Sequence, residues 1–242
     1  MRYRWIFLLL TAFVLSQCAP TSPVYAPQRE AAVADQLSLA GNVCGPTAVL
    51  NALRHGSVAH QAAARAIPGD TDAKQLRDIV LHQGAKGSRH IPQRRRWSRR
   101  GINAADLADV TNELLKGHQA PSVRLWIPQS SDHAGRIYSR IARSLRAGFP
   151  PVVGLRRYAG YQVIDSHFIT VLGILPHPEG DKTSFAFDYI DPMGGRKLRG
   201  IVRCENRSKG WRCVAELPQT PVGLKRAQGP SQLYVDSLIL VP

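Results

Sequence analysis

Apolar residues recur at helical spacing through most of the first 145 residues and alternate with polar ones through most of the rest. Ala48, Val49, Ala52 and Leu53 share one face of a helix that opens at Cys44. Pro46 suits its first turn, because the ring fixes a helical φ and the missing N–H would be unpaired there anyway. Helical spacing returns over 58–66, over 73–82 behind the capping residues Asp70 and Thr71, and over 103–115 behind Asn103. A further helix is predicted over 136–145, with Ile137, Ile141 and Leu145 at successive turns before Gly148 ends the run. Strand-like patterns mark 122–127, the β-branched run 150–155, then 166–175, 184–191 and 233–241, with a hairpin around Cys204 and Cys213. Helices first and antiparallel strands later predict an α+β domain, an N-terminal helical half packed on a C-terminal antiparallel sheet.

The first residues stand outside that pattern. Arg2 and Arg4 precede an apolar run over 5–15, too short for a permanent membrane span, and 1–17 has the layout of a signal peptide. The run ends in Leu15-Ser16-Gln17-Cys18, which resembles the lipobox of bacterial lipoproteins, although Gln17 replaces the small residue usual before the cysteine. The resemblance implies a lipid on Cys18, which tethers the chain by burying many CH₂ groups. With Ala19 following, it implies a place in the bacterial envelope, on the outer membrane facing the periplasm. Residues 18–35, with Pro20, Pro23 and Pro27, predict a flexible tether, and 36–242 a single folded domain.

Composition changes the picture in one respect. Of 242 residues 44% are hydrophobic, enough for one sizeable core, but 32 Lys and Arg against 17 Asp and Glu give a net charge of +15. Such a chain attracts anionic partners. The excess is densest over 84–101, where Lys86, Arg89, Arg94, Arg95, Arg96, Arg99 and Arg100 surround Trp97. Two readings stand: a solvated insertion, or a surface docking an anionic envelope polymer or substrate through Arg94, Arg95, Arg96, Arg99 and Arg100. Nucleic acid suits arginines around an aromatic too. An exported protein seldom meets it, and it ranks last.

The chemistry centres on Cys44. A helix start stabilises an anion through its unpaired N–H groups and dipole, which favours thiolate over thiol; the alternative is an inert buried cysteine. Of eight histidines, His167 alone begins a buried strand, on the face of Ile169 and Val171. His55 follows Cys44 by eleven residues on one helix, which at ~1.5 Å per residue puts it roughly 16 Å away. His60, His82, His90, His118, His133 and His177 are expected in loops or on polar helix faces. On the neighbouring strand Asp191 shares its inward face with Phe187 and Tyr189, and it competes with Asp188, on the opposite face, to orient the imidazole. Cys204 and Cys213 remain as a pair across the base of a Gly-containing hairpin, where a disulfide is expected outside the cytoplasm. No Cys-x-x-Cys or His-x-x-x-His spacing accompanies them, so neither a metal nor a cofactor is expected.

Four segments together carry a family resemblance: Cys44-Gly45-Pro46 at a helix start, Ala147-Gly148-Phe149-Pro150-Pro151-Val152-Val153-Gly154-Leu155, Ser166-His167-Phe168-Ile169-Thr170-Val171-Leu172-Gly173, and Asp191-Pro192-Met193-Gly194-Gly195. They resemble the papain-like cysteine peptidases, most of all the bacteriocin-processing type that removes double-glycine leaders, over about residues 36–195. The resemblance implies a papain-like fold and a Cys44, His167 and Asp191 triad that hydrolyses a peptide bond through an acyl-enzyme. It also implies an oxyanion hole made by the Cys44 N–H and a side-chain amide. Where the family usually has Gln, about six residues before the cysteine, this chain has Ser38, which leaves Gln36 first and Asn42 second for that role. The run 44–53 also resembles the phytochelatin synthases, which use the same nucleophile for transfer. A transpeptidase or amidase therefore stays open, as does a non-catalytic basic binding module.

Overall fold

A computed structural model describes residues 22–39, 42–159, 162–177, 181–220 and 232–242. The expected signal peptide and the lipidation site Cys18 lie outside them. In chain order the elements are β1 (Val24–Tyr25), α1 (Cys44–His55), α2 (Val58–Ala66), α3 (Asp72–Asp78), the hairpin strands β2 (Trp97–Ser98) and β3 (Gly101–Ile102), and α4 (Ala104–Leu115). There follow β4 (Arg124–Trp126), α5 (Ala134–Arg146), β5 (Val152–Ala159), β6 (Gln162–Ile174), β7 (Ser184–Asp191), β8 (Arg196–Arg207), β9 (Gly210–Glu216) and β10 (Gln232–Leu240). Among the described residues no helix is long and apolar enough to cross a membrane.

Six antiparallel strands close on themselves in the order β6, β5, β10, β9, β8, β7, with β7 returning to β6. β1 attaches to β6 and β4 to β10. The expected papain-like arrangement, a helical half packed on an antiparallel sheet, is therefore incorrect: among the described residues this is a closed barrel accompanied by five α-helices. The physical reason is closure. β6 and β7 would be the two edges of an open sheet, and they pair instead from Thr170 with Ile190 to Ile174 with Phe187. Register shifts at Arg157/Tyr158, Val171/Gly173 and Val235/Ser237 add local twist, which coils the sheet until its edges meet. Alternation along each strand shows its two faces and is silent about which edges meet.

Two cores result, one on each side of the barrel wall. The inward residues Val153, Leu155, Ile169, Val171, Phe185 and Phe187 pack with Ile137 and Ile141 of α5. On the outer face Val152, Phe168 and Ile239 pack against α1, α2 and α4. α1 is the hub of that layer: every residue from Gly45 to Leu53 is buried, as expected of a helix apolar nearly all round. Residues 22–35, expected as a tether, dock on the domain. Val24 pairs with Ile174, and Asn51 holds both backbone groups of Ala34, at 2.7 and 3.1 Å. The extended conformation that prolines favour serves an edge strand as well as a spacer.

Candidate functional site

Cys44 and His167 lie on opposite sides of the seam between these cores and are brought together by the contact of α1 with β6. Thr170 Oγ1 donates to the Ala48 carbonyl at 2.7 Å, the residue one helical turn after Cys44. At Gly45 an added Cβ would stand 2.6 Å from Ile102 and 3.4 Å from Phe168, so only a hydrogen lets the helix start come this close to the residue after His167. Cys44 is half-buried and free of any disulfide. Pro46 offers no N–H, which leaves Cys44 and Gly45 with the first-turn amides that have no intrahelical partner.

His167 is 3% exposed and pairs across the sheet with Leu155. Its Nε2 meets Asp191 Oδ1 at 2.9 Å, and Nδ1 is the nitrogen left for the sulfur. Burial alone would push this imidazole down. The hydrogen bonds to Asp191 and Cys44, with the charges of both, outweigh burial and raise it to about 9. The Asp191 carboxyl is wholly buried. Burial would raise it, and the hydrogen bond and charge of His167, the Met193 N–H and the Thr220 hydroxyl hold it below the usual carboxylate range instead. Asp188 serves elsewhere, bonded to Arg199 at 2.8 Å and Arg29 at 3.4 Å.

The two amides proposed for the oxyanion differ in their surroundings. Gln36 opens a single 3₁₀ turn, its N–H donating to the carbonyl of Pro192, next to Asp191, at 2.9 Å. Its Oε1 is buried with no partner among the described residues. Asn42 is exposed, and its Nδ2 is committed to the Arg99 carbonyl at 2.9 Å. Of the arginines proposed as a docking surface, Arg96 does not reach the surface. It is 2% exposed, paired with Glu113 at 2.8 Å and 3.9 Å from Asp109. Arg95, Arg99 and Arg100 are exposed and Arg94 is half-buried.

Cys204 and Cys213 form a disulfide between paired positions of β8 and β9. Among the described residues one cluster has the composition of a metal site, His90, Asp106 and Asp109. Its acids already have protein partners: Ser88 and Asn103 donate to Asp106, and Asp109 faces His90 and Arg96. Sequence reasoning missed that His60 and His177 are buried, and missed the Thr220 hydroxyl, which bonds Tyr189 Oη at 2.9 Å beside the Asp191 carboxylate. No motif marks a hydroxyl of that kind. The chain matches no protein-family model and no curated protein sequence.

Proposed function

We propose that this protein is a thiol hydrolase acting on peptide bonds, with Cys44 as nucleophile, His167 as its proton-holding partner and Asp191 as the group that orients and charges the imidazole. The observation that carries the reading is the buried His167–Asp191 pair, whose imidazole stays protonated to about pH 9 against the sulfur at a helix N-terminus. Cys44 as thiolate attacks the carbonyl carbon, and its own N–H and the Gln36 amide receive the developing oxyanion. His167 gives its Nδ1 proton to the leaving amine as the C–N bond breaks. It then takes a proton from water, whose oxygen attacks the thioester; the C–S bond breaks, releasing the acid and restoring the Cys44 thiolate beside protonated His167. The sequence resemblance to cysteine peptidases supports peptide hydrolysis, although the barrel means that the chemistry is borne on a different fold. The signal-like N-terminus with Cys18 and the Cys204–Cys213 disulfide support an exported, lipid-tethered enzyme of the envelope.

The test is iodoacetamide labelling of Cys44 as a function of pH, beside turnover of a fluorogenic peptide mixture. Labelling at pH 6 is expected to be faster than that of glutathione and to slow by about 10²-fold in His167→Ala. Turnover is expected to vanish in Cys44→Ala. Labelling no faster than that of glutathione, and indifferent to His167, overturns the reading. Product that forms only with an added acceptor amine turns it into a transferase on the same acyl-enzyme.

A further inference from the structure

The basic stretch 84–101 is folded, and it is fastened to the nucleophile's own segment. Gly87 bridges Arg95, the Ser88 N–H donates to the Arg94 carbonyl at 2.7 Å, and the Arg96 N–H to the Lys86 carbonyl at 2.9 Å. Arg96 turns inward as the pivot. Beyond it, Ser98 pairs with Gly101, so Arg99 and Arg100 are the two turn residues of a hairpin. The left-handed φ of 95° falls on Gly101, which spares both arginines the strain. Three contacts fix this turn relative to Cys44: Trp97 Nε1 donates to the Asn42 carbonyl at 3.0 Å, Asn42 Nδ2 donates to the Arg99 carbonyl at 2.9 Å, and Ile102 closes over Gly45. Asn42 lies two residues before the nucleophile and Gly45 one after it.

The cations of this lobe divide into two sets. Lys86 and Arg96 both pair with Glu113, at 2.6 and 2.8 Å, and Arg96 also faces Asp109. Arg95, Arg99 and Arg100 are exposed and have no acidic partner among the described residues. Holding two unpaired guanidinium groups at the rim of a reactive sulfur opposes folding through mutual repulsion, unless a counter-charge arrives with the substrate. We propose that Arg99 and Arg100 are a specificity-determining subsite for acidic peptides: the substrate of Cys44 carries Asp or Glu within a few residues of the scissile bond. The proposal rests on the thiol-hydrolase reading and adds the substrate class. That chemistry favours a peptide over a phosphate-bearing partner, because the sulfur needs an acyl carbon and the anion beside it therefore belongs to a chain of amides.

The charge at the rim can be measured without knowing the substrate. Second-order rate constants are compared for alkylation by iodoacetate, which is anionic, and iodoacetamide, which is neutral, read on the Cys44 peptide by mass spectrometry. The iodoacetate-to-iodoacetamide ratio is expected to fall about tenfold in R99E/R100E and to fall in the wild type as salt is raised. The matched charge change R65E/R143E, on α2 and α5, is expected to leave the ratio in place. A Glu-rich peptide is expected to protect Cys44 from iodoacetamide at low salt, more than its Gln counterpart or inorganic phosphate at equal ionic strength. A ratio indifferent to R99E/R100E, or equal protection by the Gln peptide or by phosphate, overturns the subsite and leaves the hydrolase standing. Iodoacetamide labelling that does not depend on His167 overturns the hydrolase itself.

Discussion

Two buried imidazoles in this protein meet opposite fates. His60, in the helical layer, is 0% exposed, lies 5.2 Å from the Phe149 ring and has the Ser57 hydroxyl at 2.8 Å; burial pushes it down to about 4. His167, at the seam between barrel and helices, is 3% exposed and raised to about 9. Burial acts downward on both. The difference is ionic: among the described residues no acid acts on His60, whereas His167 has Asp191 on one nitrogen and Cys44 on the other. Burial of a histidine therefore says little about chemistry, and the sign of its net shift says a great deal.

The largest expected effect comes from making His167 resemble His60. Asp191→Asn removes the charge and keeps the shape. The alkaline limit of peptide turnover, set by the His167 proton that the leaving amine needs, is expected to move from about pH 9 to below 6.5, with kcat lower by about 10³-fold. Breaking a buried pair by neutralising one member is expected to cost about 3 kcal/mol of stability in urea unfolding. His60→Asn, by contrast, is expected to leave the pH profile of turnover where it was. A profile still limited near pH 9 in Asp191→Asn would mean that another group charges the imidazole.

The pH dependence of stability should show both histidines at once, with opposite signs. His167 is raised in the folded protein, so its contribution is complete below pH 6.5 and is lost as pH rises towards about 9. His60 is lowered, so the unfolded chain takes up a proton that the folded one refuses, and stability falls from pH 6.5 down to about 4. Asp191, held below its ordinary value, adds a further loss as pH falls through the carboxylate range. At about 1.4 kcal/mol per pH unit each histidine limb amounts to at most about 3.5 kcal/mol. Urea midpoints are expected to peak near neutrality, with His60→Asn flattening the acid limb alone. An acid limb unchanged by that substitution would assign it to other groups.

The same pair of residues shows what was legible in the sequence. The helix at Cys44 and the caps Thr71 and Asn103 follow from local rules, and both cap side chains accept the expected N–H, from Lys74 and Asp106. His167 and Asp191 stood out because period-two alternation placed them with Ile169 and Tyr189, residues that do line the barrel interior. Closure was invisible, since it depends on β10 entering between β5 and β9 across the fold and on bulges that no composition marks. Burial of His60 and Arg96 was invisible for a related reason. Each is covered by a residue far along the chain, Phe149 and Glu113, and a polar side chain gives no sign of the partner that will cover it. The hairpin at Arg99 read only as charge, because its hold on Asn42 is made by a tryptophan N–H and an amide, groups without periodicity.

The smallest effect tests the other half of what separates the two imidazoles, the sulfur. Thr170→Val deletes the hydroxyl that ties β6 to the Ala48 carbonyl and nearly preserves volume. That carbonyl keeps its place in the helix ladder of α1, so no buried acceptor is orphaned, and the stability cost is expected to be only about 1 kcal/mol. Asp191 is untouched. If the position of Cys44 contributes to the charge on His167, the alkaline limit of peptide turnover should move down by a fraction of the Asp191→Asn shift, while a direct readout of the His167–Asp191 bond, the downfield imidazole N–H proton resonance, remains. A limit that stays near pH 9 would assign the charge on the imidazole to Asp191 alone and reduce the sulfur to a bystander of a pair that exists without it.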